Sequence, residues 1–184
     1  PKGVSITYAN LNHFLDWYTA YYDGKGPQVF LGHPPFSFDL SVMSLWPALY
    51  MHIPLIQIDK QHLQDFKVLF KTLEESKATV WISTPSFAEM CLADPSFNED
   101  LLPELEQFVF CGEKLFSSTV EKLMERFPKA EVVNTYGPTE STVMVTWMPL
   151  TKELVERYPD NLPVGVVKPG TTVLIDGENS GEII

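Results

Sequence analysis

Seven consecutive residues, Asn134-Thr135-Tyr136-Gly137-Pro138-Thr139-Glu140, hold the densest chemistry in the chain. Gly137-Pro138 makes a turn, Tyr136 offers a flat face for stacking, and Thr139 with Glu140 presents the hard oxygens that suit phosphate and Mg²⁺. Each alone would be an ordinary loop residue; together they point to a nucleotide site. A second candidate is Asp39, within Pro35-Phe36-Ser37-Phe38-Asp39-Leu40-Ser41. A carboxylate in so apolar a stretch is costly unless it gains a cation or hydrogen-bond donors. A ligand ammonium would satisfy it, and so would the following helix if Asp39 caps it; the residues leave both open. The third candidate is Phe110-Cys111-Gly112-Glu113. No neighbouring base acts to depress the pKa of Cys111, so its expected use is steric rather than nucleophilic.

Other chemistries are excluded. The chain lacks the Gly-x4-Gly-Lys-Ser/Thr loop of one nucleotide-binding class and the Gly-x-Ser-x-Gly elbow of serine hydrolases. His13, His33, His52 and His62 have no metal-ligand spacing, so zinc is not expected. His33 lies near the proposed pocket, where either a lining or an ordinary loop role fits. Asp23-Gly24-Lys25-Gly26 reads as an exposed turn.

The elements that must position these loops alternate between helix and strand. Leu11, Phe14, Leu15, Tyr18 and Tyr22 recur at helical spacing behind Thr7, predicting a capped amphipathic helix over 8–22. Val29 to Leu31 predicts a strand, 40–51 a buried helix strained by Pro47, and Ile53 to Ile58 a second strand. Leu63, Phe66, Leu69, Phe70 and Leu73 share one helix face, Ala78 to Ile82 a strand, and Pro85 opens a short helix. Gln107 to Cys111 and Glu131 to Asn134 are strands around a helix whose apolar face is Val120, Leu123, Met124 and Phe127, with Ser118 and Glu121 at capping-box spacing. Thr142 to Met148 and Thr172 to Ile175 predict further strands, and another begins at Gly181. The fold class is therefore α/β, a mostly parallel sheet flanked by helices and undivided by any linker. In such sheets ligands gather beyond the carboxyl ends of the strands, which is where all three candidate segments lie.

Among the 184 residues, 24 acids against 13 bases give a net charge of -11, which leaves no basic stripe for nucleic acid and disfavours anionic membrane surfaces. No apolar run nears the roughly 20 residues that cross a bilayer, so no membrane insertion is expected and a cytoplasmic setting is the expectation. Cys91 and Cys111 are too few and too far apart for a disulfide framework. Both ends look cut, with no initiator Met at Pro1 and a strand beginning at the last residues.

Asn134 to Glu140 resembles the signature of the adenylate-forming superfamily, which includes acyl-CoA synthetases, luciferases and nonribosomal peptide adenylation domains. Pro1-Lys2-Gly3-Val4 resembles the tail of that family's phosphate loop, and Phe38-Asp39-x-Ser41 the form found with amino-acid substrates. Phe36 to Met43, Ser83 to Cys91 and Phe110 to Glu113 are together similar to the branch that activates D-alanine and loads it onto a carrier protein. The resemblance covers essentially the whole chain. It implies that 1–184 is part of the large N-terminal AMP-binding domain, without the small C-terminal domain, the catalytic Lys it carries and most of the phosphate loop.

The same resemblance implies ATP and Mg²⁺ as cofactors and D-alanine as substrate. The acceptor would be the phosphopantetheine thiol of a D-alanyl carrier protein, serving D-alanylation of teichoic acids. Asp39 would bind the substrate ammonium, Phe38 would shape the pocket and its approach, and Cys111 would crowd one side of the alpha carbon in favour of the D enantiomer. Gly112 and Glu113 would lie against adenine and ribose, with Asn134 and Tyr136 completing the base site. Thr139 would hold the α-phosphate, Glu140 the Mg²⁺, and Lys2 would belong to the phosphate loop. The piece alone is expected to have little or no adenylation activity. Two other readings stand beside this one: a nonribosomal peptide adenylation domain for another amino acid, and a non-catalytic nucleotide-binding module.

Overall fold

The computed structural model describes residues 3–177 and the short strand at 182–183. Seven strands form one sheet: β1 (Phe30–Gly32), β2 (Leu55–Gln57), β3 (Val80–Ser83), β4 (Gln107–Phe110), β5 (Glu131–Asn134), β6 (Thr146–Leu150) and β7 (Val166–Val167). Their order is β2-β1-β3-β4-β5-β6-β7. The pairs through β5 are parallel, and β6 and β7 run antiparallel at the edge. A separate antiparallel pair joins β8 (Ile175–Asp176) to β9 (Glu182–Ile183).

The strands are apolar on both faces because helices cover both. Successive side chains point to opposite sides. Leu31, Trp81, Phe108, Phe110 and Val132 therefore enter one core with the helices α4 (Phe66–Ser76), α5 (Pro85–Leu92) and α6 (Ser117–Arg126). Phe30, Val80, Ile82, Val109, Cys111 and Val133 face the other core, against α1 (Tyr8–Thr19) and α2 (Val42–Met51). Burying each large side chain is worth about 1.5–3 kcal/mol, which holds the sheet between its two layers. An aromatic ladder reinforces each side: Trp81, Phe97, Phe108 and Phe127 on the first, and Phe14, Tyr18, Tyr22 and Phe30 on the second.

Several boundaries differ from the sequence expectation, each for a local reason. The helix at Thr7 has a full capping box with Asn10, but its last turn, Ala20–Tyr22, tightens to a 3₁₀ turn. The pattern from Leu63 to Leu73 is two helices, α3 (Lys60–Gln64) and α4, because the Asp65 carboxylate accepts from Lys67 and Val68 N–H and starts the second. The Ser118–Glu121 capping box does not form: α6 begins at Ser117 with Phe116 as its cap residue, and the Ser117 hydroxyl donates instead to the Pro159 carbonyl. The strand expected from Thr142 starts only at Thr146. Thr142 and Val143 have φ of 65° and 64°, which no strand accommodates. α2 runs through Pro47, preceded by a 3₁₀ turn over Asp39–Ser41.

Candidate functional site

Strand register sets the site. Gly32 pairs with Ile82, Ser83 with Phe110, and Phe110 with Asn134, so β1, β3, β4 and β5 end level and release their loops from one edge of the sheet. The three candidate segments therefore meet. Thr135 donates from both N–H and hydroxyl to the Phe110 carbonyl, at 2.9 and 2.8 Å, tying the β5 loop to the β4 loop. The Thr139 hydroxyl donates to the Asp39 carboxylate, tying the β5 loop to the β1 loop. Ser86 N–H donates to Glu113 at 3.1 Å, which places a negative charge at the start of α5, where the helix dipole favours it.

Two cavities flank the segment from Asn134 to Glu140. The first, of about 360 Å³, is lined by Gly112, Glu113, Asn134, Tyr136 and Gly137. Its far wall is Asn161, Leu162 and Val164, latched by a 3.0 Å hydrogen bond from Lys114 to Asn161 and one of equal length from the Asn134 side chain to the Pro163 carbonyl. Gly112, at φ 89°, turns the chain away from β4 in a conformation that favours glycine. The second cavity, of about 430 Å³, has Asp39, Thr7, Thr139 and Thr142 as polar groups among Tyr8, Val42, Trp46 and Val143. Tyr136 and Gly137 belong to one cavity and Thr139 to the other, so the turn is the partition between them.

That partition is strained and tightly folded. Left-handed φ at two successive β-branched residues, Thr142 and Val143, costs about 1–3 kcal/mol each. A Cβ at position 137 would stand 2.7 Å from the Val143 carbonyl oxygen, so only glycine lets the turn close on itself.

The predicted residues separate into groups. Gly112, Glu113, Asn134 and Tyr136 share the first cavity. Asp39 and Thr139 share the second; Asp39 opens the 3₁₀ turn without capping α2, whose first residues have no side-chain cap. Cys111 lines neither of these two. It is 2% exposed, and its thiol lies 3.9 Å from the carbonyl oxygen of Val143, a wall of the Asp39 cavity. Burial pushes the Cys111 pKa up, so the group stays a thiol. Phe38 and Glu140 are exposed and border neither of the two cavities. Lys2 lies outside the described residues. His33 stacks face to face on Phe87 at 3.9 Å, and its Nδ1 is buried without a partner among the described residues.

Sequence reasoning missed the loop around Asn161 to Val164, the lysine that latches it, and the apolar walls Tyr8 and Trp46. Nothing periodic marks them, and all but the lysine, which follows Glu113 directly, reach the site from distant segments. Among the described residues no three His, Cys, Asp or Glu side chains converge on a metal position, and no helix is long and apolar enough to cross a membrane.

Comparison with known proteins adds the following. A family model described as AMP-binding enzyme matches residues 1–184. The chain is 50% identical over 193 residues to a D-alanine--D-alanyl carrier protein ligase of Bacillus licheniformis, with all of this chain matched to 38% of that protein. It is 45% identical over 183 residues to the ligase of the same name from Lacticaseibacillus casei, covering 36% of it. The chain thus spans well under half the length of these curated relatives. Among solved structures, the crystal structure of IdnL7 superposes with a TM-score of 0.85 at 28% identity, over 100% of this chain and 38% of that one.

Proposed function

Because the chain belongs to the AMP-binding enzyme family, we propose that it is part of the large domain of a longer cytoplasmic ATP-dependent ligase that activates D-alanine and passes it to a carrier protein. The reaction would join the D-alanine carboxylate to the α-phosphorus of ATP with loss of pyrophosphate. The thiol of a phosphopantetheine arm on a D-alanyl carrier protein would then take the aminoacyl group, for D-alanylation of teichoic acids. The observation that supports this most strongly is the pair of cavities sharing one wall, with Tyr136 on one side and the Asp39–Thr139 contact on the other.

Each side suits its half of the reaction. The 360 Å³ cavity has the size of a small-molecule site, a ring to stack on at Tyr136, and polar edges at Glu113 and Asn134 for a base and its sugar. Asp39 is half-buried beside apolar walls, where a substrate ammonium would gain a strong charge-assisted hydrogen bond. Cys111, buried behind Val143, would set how close a substituent on the alpha carbon can approach and so select the D enantiomer. Phe38, exposed next to Asp39 in the chain, would shape the approach.

The two reacting groups are both anions, so donors and a cation must offset their repulsion. Mg²⁺ would supply that charge when bound. Thr139 and Glu140 fit a metal of this kind: it keeps most of its waters and takes one or two carboxylates plus phosphate oxygens, so a single exposed carboxylate next to Thr139 is adequate. Thr139 would hold the α-phosphate, Glu140 the metal, and Lys2 would contribute from the phosphate loop. The 184 residues alone would show little or no adenylation.

The test is amino-acid-dependent exchange of pyrophosphate into ATP by the full-length protein. D-alanine is expected to support the fastest exchange. A stronger response to an L-amino acid would assign the chain to a peptide-synthetase type of adenylation domain. No ATP consumption with any amino or fatty acid would remove the ligase reading.

A further inference from the structure

Lys168 lies in the connection after β7 and is only 5% exposed. A buried ammonium ordinarily has a carboxylate beside it, since desolvation of a bare charge costs several kcal/mol. Here Lys168 forms no ion pair among the described residues, and its one hydrogen bond runs 3.4 Å from Nζ to the Ser141 carbonyl. Its backbone is held as well: Lys168 N–H donates to the Val145 carbonyl at 2.7 Å, and Thr171 N–H donates to the Lys168 carbonyl at 3.2 Å. Burial lowers the Lys168 pKa from its ordinary value, the direction expected for a cation with little compensation.

The place where this side chain is anchored gives it meaning. Ser141 ends the 3₁₀ turn Thr139–Ser141, and the next two residues are the strained pair Thr142 and Val143. A carbonyl at the end of a helical turn carries excess negative charge, which a cation offsets. The strained pair persists only if its surroundings over-determine it. Lys168 contacts the chain immediately before the pair, and its own N–H grips Val145, two residues beyond it. The two bonds bracket the strain.

We propose that Lys168 is a positioning residue: its buried ammonium clamps the Ser141 carbonyl, holds Thr142 and Val143 in their left-handed conformation, and thereby sets Thr139 at the wall between the two cavities, with Glu140 beside it. The clamp acts through the turn and touches no substrate. Its effect on catalysis rests on the ligase reading above, while its effect on the turn does not. Lys168→Met keeps an unbranched apolar stem of similar reach and removes the ammonium.

Two measurements on the full-length protein separate these levels. The first is hydrogen exchange at the amides of Thr142, Met144 and Val145 in wild type, Lys168→Met and Lys168→Arg. Faster exchange confined to this segment in Lys168→Met, with Tm unchanged or raised and slower exchange restored in Lys168→Arg, is the expected result. Unchanged exchange, or a Tm that falls together with protection throughout the sheet, would overturn the clamp in favour of a general packing role. The second is D-alanine-dependent pyrophosphate exchange. There Lys168→Met should lower kcat by roughly 10- to 100-fold, with a smaller change in the D-alanine KM, because small misplacements of phosphate-facing groups act on the reacting geometry. A wild type without exchange would sink the ligase reading and leave the clamp to the first measurement. A wild type that exchanges, with Lys168→Met equally fast, would remove the catalytic consequence.

Discussion

The cavities on the two sides of the Tyr136–Thr139 turn share a wall but are assembled by different means. The one at Tyr136 takes Gly112, Glu113, Tyr136 and Gly137 from segments that directly follow β4 and β5. Those strands are parallel neighbours with Phe110 opposite Asn134, so the residues just beyond them lie side by side of necessity. The cavity at Asp39 collects Tyr8 from the start of α1, Trp46 from α2, and Thr139, Thr142 and Val143 from the strained turn. Asp39 and Thr139, hydrogen-bonded to each other in its wall, are 100 residues apart. The first cavity is a consequence of strand register, whereas the second depends on three layers packing correctly. Under the proposed reading, the Tyr136 side would be generic while the Asp39 side would carry the selectivity.

Changing Asp39 should test this division most severely. In the full-length protein, Asp39→Asn removes the counter-charge for an ammonium in a half-buried site, a loss of about 2–5 kcal/mol. It should appear as a fall in kcat/KM for D-alanine, with the KM for ATP nearly unchanged, in steady-state pyrophosphate exchange. Equal damage to both constants would merge the two cavities into one. Tyr136→Ala is the reciprocal change, expected to weaken ATP by about 1–3 kcal/mol through lost stacking while sparing D-alanine. Titration of each variant with a non-hydrolysable ATP analogue would check it.

Cys111→Ala tests whether the layer behind the Asp39 cavity sets selectivity. Removing the sulfur should lower the D-over-L preference by about tenfold, the scale of one missing heavy atom in a fitted pocket. A preference that does not move would show that Val143 and the walls of the cavity suffice. The smallest effect is expected at His33, which lies on neither cavity. Burial lowers its pKa below the ordinary 6.5, with Glu113 opposing, so the unfolded chain binds more protons as pH falls below that value. Stability from this residue is therefore present above about pH 6.5 and lost on acidification. His33→Phe, which preserves the stack on Phe87, should flatten the fall in Tm between pH 7 and pH 5 without altering either KM.

Much of the architecture was legible because its signals are local. The period of Phe14, Leu15, Tyr18 and Tyr22, the Thr7 cap, Pro85 at the start of a helix, and the two-faced apolar strands all follow from neighbouring residues and held in the structure. Boundaries failed where a competing contact was remote or conformational. Ser118 starts no capping box with Glu121 because the helix already begins at Ser117, whose hydroxyl bonds to Pro159, and Thr142 and Val143 look like strand residues by type but sit at positive φ.

For the site, residue types alone determined the chemistry on offer: a stacking ring at Tyr136, oxygens at Thr139 and Glu140, a carboxylate at Asp39 and an unreactive thiol at Cys111. Those properties belong to side chains and their immediate neighbours, and the chain's membership of the AMP-binding enzyme family agrees with them. The tertiary structure alone decided that Thr139 faces Asp39 and not Tyr136, that Asn161 to Val164 closes the opposite wall, and that a buried lysine holds the turn between them. These outcomes depend on loop ends whose separation is set by strand register and helix packing, and no pattern in a linear string encodes a distance between segments that far apart.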